Sequence, residues 1–231
     1  MELSSFLQAA REGNLNLVKD LHKQGEDIDQ VSKNGSSALI YASENGHLHV
    51  IEYLIENGAN PALQTKMGGT ALNRAAEKGD ITIMKYLLDN GTPIGDLALI
   101  VAAREGYYDA VELLVKSGAN INAQQRWGQT ALMLAAREGH SSIVKLLLES
   151  GANVRLRDRN GDTALNIAID NDNPDIVMQL RRAGAKAQTR KKVSPVETDD
   201  DDDDDSSSSV DELITDDSDL PPDDVEMEED I

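Results

Sequence analysis

Four histidines are the residues of this chain best suited to acid–base or metal chemistry near neutral pH: His22, His47, His49 and His140. His47 and His49 are two positions apart, so on a helix they do not face the same way to bind one metal. The chain has no cysteine, which excludes thiolate nucleophiles and cysteine-based zinc sites. It also has no Gly-x-x-x-x-Gly-Lys-Ser/Thr phosphate loop. The sequence therefore predicts no catalytic residue, no metal and no cofactor, and we expect a protein that is not an enzyme.

The glycines follow a regular spacing. Two series run in the same phase at intervals of 33 residues, and both contain one shorter step of 27 residues. The first series is Gly13, Gly46, Gly79, Gly106 and Gly139, and the second is Gly25, Gly58, Gly91, Gly118, Gly151 and Gly184. Such self-similarity at a fixed period indicates an array of structural repeats.

The segments between the glycines predict two helices in each repeat. Thr130 is a typical helix N-cap, and small or apolar residues follow it as far as Ala136. Gly139 is placed to end this helix. The apolar residues within 143–148 form one stripe of a second, antiparallel helix, which ends at Gly151. One such unit is too small to bury its own apolar face, so neighbouring units must stack.

These repeats resemble the ankyrin repeat family, most clearly in GQTALMLAAREGHSSIVKLLLESGANV (128–154) and GSSALIYASENGHLHVIEYLIENGAN (35–60). Similar units begin at Gly68, near Leu97 and at Gly161, and a degenerate one opens the chain at Leu3. The resemblance implies an all-α fold, an ankyrin-repeat solenoid of about six helix-turn-helix units with protruding turns, over residues 1–187. Residues 188–231 are predicted to be a separate, disordered acidic segment. The family also places a histidine for structural reasons where this chain has His47 and His140.

Two features depart from the family pattern. The Thr-Pro-Leu-His motif appears as Thr-Ala-Leu followed by Asn73, Met133 or Asn166, so the hydrogen bonds of the family's histidine must be made otherwise. In addition, the fourth repeat is six residues short between Gly91 and Leu99. We expect one protruding turn to be absent, leaving a notch beside Arg104 and Tyr107.

The resemblance also implies where a partner protein binds. In the family the protruding turns and the first helix of each repeat form a concave binding surface. The positions in this sequence that match are Lys33, Asn34, Glu44, Lys66, Met67, Arg104, Arg126, Trp127, Arg137 and Arg159. We expect a protein–protein interaction adaptor or scaffold that binds one partner there as a monomer.

Trp127 is the only tryptophan and lies at a predicted turn tip, where burial within its own repeat is difficult. Tryptophan and arginine are enriched among the residues that dominate protein interfaces, so Trp127 and Arg126 are candidate contacts. The alternative is that Trp127 packs flat across the neighbouring turn. The motif Arg-Glu-Gly recurs at 11–13, 104–106 and 137–139. It is interpreted as a solvated helix end with paired charges, and the alternative is a line of charged residues along the binding surface. Tyr107 and Tyr108 are expected to lie partly in the core.

Charge divides the chain into two parts. The formal net charge is −20, yet residues 193–231 hold 19 acidic residues and no basic one, so the first 192 residues are nearly neutral. Seven consecutive aspartates (199–205) precede four serines, a composition that cannot offset the entropy of ordering. The simplest interpretation is a solubilising tail.

Three functional interpretations compete with that of a solubilising tail. The tail could shield a basic client such as a ribosomal protein or histone, which would make the chain an escort chaperone. It could bind the basic end of the array, where residues 126–192 hold 12 basic and 7 acidic residues. It could also be regulatory, because Ser194, Ser208 and Ser209 match short phosphorylation patterns.

The charge and the apolar pattern also bear on partners and location. Phosphates repel a chain of net charge −20, so we expect no direct nucleic-acid partner. The start shows no signal peptide and no run of about 18 apolar residues occurs, so we expect no membrane partner. The predicted location is cytoplasmic, with the nucleus as the alternative.

Overall fold

The computed structural model describes residues 3–186 and forms twelve helices there, with no β-strand in that part of the chain. The prediction of an all-α repeat fold is confirmed. The helices pair in sequence into six repeats, two per repeat. Their bounds are α1 Ser5–Glu12, α2 Leu15–Lys23, α3 Ala38–Glu44, α4 Leu48–Glu56, α5 Ala71–Lys78, α6 Ile81–Asp89, α7 Asp96–Glu105, α8 Tyr108–Lys116, α9 Ala131–Glu138, α10 Ser141–Glu149, α11 Ala164–Asp170 and α12 Pro174–Arg182. The predicted acidic segment and its serines, Ser194, Ser208 and Ser209, lie outside the described residues.

The helices stack in two layers, as a repeat that cannot bury its own apolar face must do. Each odd-numbered helix packs on the odd-numbered helices of the neighbouring repeats, and the even-numbered helices form the second layer. Leu72, Leu99 and Leu132 occupy equivalent positions of successive odd helices and are almost fully buried. One apolar core therefore runs through the whole array.

The ends of the helices are set by the residues that the sequence indicates. Thr130 accepts a hydrogen bond from the Met133 amide at 3.2 Å and so caps α9. Gly139 ends the same helix with φ +81°, in the left-handed region that favours glycine. In the sixth repeat Asp172 takes that conformation, with φ 54°, where the other repeats use glycine.

Four protruding turns connect the repeats on the side of the odd helices. Each is closed by a backbone hydrogen bond of 2.8–3.0 Å between its first and fifth residues. We name them by the repeat they precede: turn 2 (32–36), turn 3 (65–69), turn 5 (125–129) and turn 6 (158–162). In the fourth repeat the short connection 92–95 leads directly from Gly91 into α7, so the predicted absence of one turn is confirmed.

Candidate functional site

A cleft lies where the turn of the fourth repeat is missing. Turn 3 and turn 5 form its walls, and α5 and α7 form its floor. Its volume is about 630 Å³, within the range of ligand-binding clefts. Met67 and Trp127 face it from the two walls, and Leu97 and Val101 lie on the floor.

The floor carries a network of ion pairs between α5 and α7. Glu77 binds Arg74 at 2.8 Å and reaches Arg104 of the next repeat at 3.4 Å. Arg104 also pairs with Glu105 at 2.7 Å. All four side chains are roughly one-third exposed, so each pair adds little stability. Their effect is to neutralise the two arginines of the floor and to hold Arg104 in place.

Trp127 is exposed although its backbone is anchored. Its carbonyl oxygen accepts a hydrogen bond from the Arg159 amide of turn 6 at 3.0 Å. Its side chain remains 58 % exposed. The guanidinium carbons of Arg126 and Arg159 lie 5.8 and 5.6 Å from the ring centroid, within the range of cation–π contacts. The ring therefore lies between two arginine side chains while much of its surface faces solvent.

The tips of all four turns carry a basic side chain at the same position: Lys33, Lys66, Arg126 and Arg159. All four are exposed, and within residues 3–186 none has a carboxylate oxygen within 4.0 Å. The turn tips therefore form a row of cations that have no acidic partner in the described chain. We call this the basic row.

The other predicted contact residues lie along the same side of the array. Met67 is 77 % exposed beside Lys66. Asn34 is exposed on turn 2, and its carbonyl oxygen accepts from the Lys66 amide at 2.9 Å. Glu44 and Arg137 are half-buried in the last turns of α3 and α9.

The histidines next to the turn glycines connect neighbouring repeats. Nε2 of His47 lies 3.0 Å from the carbonyl oxygen of Arg11, and Nε2 of His140 lies 2.9 Å from that of Arg104. In the sixth repeat Asn173 makes a similar bond, in which its Nδ2 donates to the carbonyl of Ala136, one residue earlier in the helix, at 3.0 Å. These contacts support the structural interpretation of both histidines.

The prediction that Tyr107 and Tyr108 lie partly in the core is wrong, because both belong to the exposed residues of the array. Both side chains are about 40 % exposed. Tyr107 packs its ring over Gly79, where an added Cβ would approach the ring to 2.6 Å. It does not line the cleft, so the notch lies beside Arg104 as predicted but not beside Tyr107.

Sequence reasoning missed the residues at the bottom of the cleft. Asn73, one of the substitutes for the family's histidine, is 5 % exposed and its Oδ1 has no hydrogen-bond partner. Its Nδ2 makes only a long bond, 3.4 Å, to the Gly68 carbonyl. Nε of Arg74 is also buried without a partner. The departure at Asn73 was the signal in the sequence that could have drawn attention to this position.

The described residues give no sign of metal chemistry or of a membrane segment. Across residues 3–186 no three His, Asp or Glu side chains are grouped so as to hold a metal ion. None of the helices in that range has the length and apolar character needed to cross a bilayer.

The stacked helix pairs with protruding turns define a helical repeat solenoid. A family model described as ankyrin repeats matches residues 6–98 and 99–191. The chain therefore belongs to the ankyrin repeat family. Among curated proteins, a sequence search finds no match.

Solved structures show the same fold. The ankyrin repeat domain of human ASB11 is 29 % identical with a TM-score of 0.71, covering 81 % of this chain and 87 % of that one. An ankyrin repeat domain from Acinetobacter baumannii is 32 % identical with a TM-score of 0.69, covering 78 % and 98 %. A chain from the complex of the Bdellovibrio bacteriovorus endopeptidase Bd0816 with its immunity protein Bd3460 is 26 % identical with a TM-score of 0.69, covering 79 % and 99 %.

Proposed function

We propose that this protein is a protein–protein interaction adaptor that binds a partner on the surface formed by the protruding turns and the odd-numbered helices. The observation that carries the proposal is Trp127, held between two arginines and 58 % exposed on that surface. Aromatic and arginine side chains in such positions are typical of the residues that dominate binding energy. Ankyrin repeats generally mediate protein–protein contacts, and one similar structure is a complex of two proteins.

The surface has the composition of an interface. Met67 and Trp127 expose large apolar areas, and each directly follows a residue of the basic row in the sequence. Met and Arg, like Trp, are enriched in protein interfaces relative to the rest of the surface. We further propose that the protein acts as a monomer and that its location is the cytoplasm, with the nucleus as the alternative.

Substitution of Trp127 tests this function. We expect Trp127→Ala in the full chain to weaken partner capture by tenfold or more, since such anchors contribute about 2 kcal/mol or more. Tyr108→Ala is the matched control, because Tyr108 is 42 % exposed but begins α8 in the other layer. Both variants must keep the circular dichroism spectrum of the wild type. Equal capture by all three chains would refute the assignment of the site.

A second candidate function is an escort for a basic client such as a ribosomal protein or histone. The 19 acidic residues of 193–231 favour it, because they offer a surface that imitates phosphates. The basic row opposes a basic client on the array itself. Replacing the aspartates of 199–205 by asparagine distinguishes the two: the escort loses its client, in a salt-dependent manner, whereas the adaptor keeps its partner.

A further inference from the structure

Neighbouring turns are joined through their backbones wherever two turns are adjacent. The Lys66 amide of turn 3 donates to the Asn34 carbonyl of turn 2 at 2.9 Å. The Arg159 amide of turn 6 donates to the Trp127 carbonyl of turn 5 at 3.0 Å. These are equivalent groups in the repeats, and each bond closes the space between two turns.

The absence of a turn in the fourth repeat leaves one such donor and one such acceptor free. Met67 is 33 positions after Asn34, so its carbonyl is the group that would accept from the missing turn. Arg126 is 33 positions before Arg159, so its amide is the group that would donate to it. Within residues 3–186 neither group has a hydrogen-bond partner.

The glycines beside these groups confirm that the space is open. A Cβ added to Gly35 or Gly128 would lie 3.1 Å from backbone atoms of the next turn. At the equivalent Gly68 it would meet only Cδ1 of Leu97, at 3.8 Å. The backbone of turn 3 therefore faces the cleft where the backbones of turns 2 and 5 face another turn.

Two lining residues hold buried polar atoms without partners, and charged residues lie around the cleft. Asn73 and Arg74 line the cleft, and their Oδ1 and Nε atoms, respectively, have no hydrogen-bond partner. Arg126 lines the cleft, and Lys66 lies in turn 3 between two of the lining residues; neither belongs to the ion pairs of the floor. Asp96, in the first turn of α7, is an exposed lining carboxylate outside those pairs.

We propose that this cleft binds one extended segment of a partner protein, whose backbone takes the place of the missing turn. One residue of the segment donates a hydrogen bond to the Met67 carbonyl, and the next residue accepts one from the Arg126 amide, as the second and third residues of the other turns do. Such main-chain pairing of an added segment resembles strand addition at a sheet edge. A bulky apolar side chain of the segment packs on Leu97 and Val101, between Met67 and Trp127. A neighbouring Asp or Glu pairs with Lys66 or Arg126. The inference rests on the proposed function and names the chemistry of its partner.

A proline at position 126 tests the backbone contact. The Gly128 amide donates to the Gln125 carbonyl at 2.7 Å, which makes Arg126 the second residue of a β-turn, where proline is favoured. Arg126→Pro removes the free N–H without opposing the turn, and Arg126→Ala removes the side chain but keeps the N–H. The difference between the two variants therefore reports on the backbone bond alone.

The probe is a library of random heptapeptides displayed on phage and selected against the full chain. We expect the selected peptides to share a bulky apolar residue next to Asp or Glu. Their affinity should fall three- to tenfold further in Arg126→Pro than in Arg126→Ala, the effect of one hydrogen bond. Insertion after Pro93 of a copy of residues 61–66, the six positions that the fourth repeat lacks, should abolish binding, with the melting temperature as the control for folding.

Several results would overturn the inference. Peptides that bind the insertion variant as tightly as the wild type would place the contact elsewhere on the array, which leaves the proposed function standing. Equal affinity of the Arg126→Pro and Arg126→Ala variants for the selected peptides would refute the proposed hydrogen bond from the Arg126 amide. Peptides that bind only after the aspartates of 199–205 are changed to asparagine would assign the cleft to the chain's own acidic segment. Selection of no cleft-dependent peptide would refute the site.

Discussion

Proline substitutions at the turn tips test the backbone pairing of the turns in the free protein. Lys33, Lys66, Arg126 and Arg159 each occupy the second position of a β-turn, and all four side chains are exposed. The amides of Lys66 and Arg159 donate to the preceding turn. The amides of Lys33 and Arg126 have no partner within residues 3–186, because no turn precedes them directly. The backbones of the four sites are thus matched except for this one bond, while the side chains of Arg126 and Arg159 alone contact Trp127.

Two opposing contributions set the expected magnitudes. Proline in a compatible conformation stabilises a protein by about 0.4–1 kcal/mol, because it restricts the unfolded chain. Loss of a backbone hydrogen bond costs about 1 kcal/mol. We therefore expect Lys33→Pro and Arg126→Pro to stabilise the array slightly. Lys66→Pro and Arg159→Pro should be neutral or destabilising, and the two pairs should differ by about 1 kcal/mol.

Urea denaturation of the full chain, followed by circular dichroism, measures these differences. Alanine at each position corrects for the loss of the side chain. The slope of the free energy of unfolding against urea must stay constant, so that a shift in midpoint reports on stability. If the urea midpoint shifts by the same amount in all four proline variants, the backbone bonds between turns do not contribute to stability. The free groups of the cleft would then give no reason to expect a backbone bond to a partner.

Three further predictions concern the array itself. Thr130→Ala should lower the free energy of unfolding by about 1 kcal/mol in the same assay, because the N-cap bond of α9 is lost; no change would show that the cap adds nothing. Gly79→Ala should cost more than Gly58→Ala, since both have positive φ but only the Cβ at 79 would meet the Tyr107 ring, at 2.6 Å; equal costs would refute that contact. Burial, together with two glutamates of α4, raises the pKa of Tyr86. The folded chain therefore keeps a proton that the unfolded chain releases, and stability falls as the pH rises past about 10. Tyr86→Phe should reduce this fall, and an unchanged alkaline profile would contradict it.

Much of the fold follows from local sequence signals. Thr130 and Gly139 fix the ends of α9 through contacts within a few residues, so single-sequence reasoning can find them. The period of the glycines predicts the stacking, because a unit of that size has no core of its own. The missing turn was predictable for the same reason, since it is a difference in the number of residues between Gly91 and Leu99.

The details of the cleft depend on residues far apart in the sequence and could not be predicted in the same way. The bond from Arg159 to the Trp127 carbonyl spans 32 positions. The fourth repeat has no turn to make the equivalent bonds, which is why the Met67 carbonyl and the Arg126 amide remain free. The packing of Tyr107 on Gly79 is likewise a contact between repeats, and this contact turns Tyr107 away from the notch in which the sequence placed it.

The most direct test of the proposed function is site-specific photo-crosslinking in the full chain. A photoreactive phenylalanine derivative replaces Trp127 in one variant and Tyr108 in the other, and both are irradiated in cells. We expect a covalent adduct with another protein from position 127 only, and we expect the turn insertion after Pro93 to abolish it. Adducts from position 108 alone, or equally from both positions, would contradict binding at the turn surface.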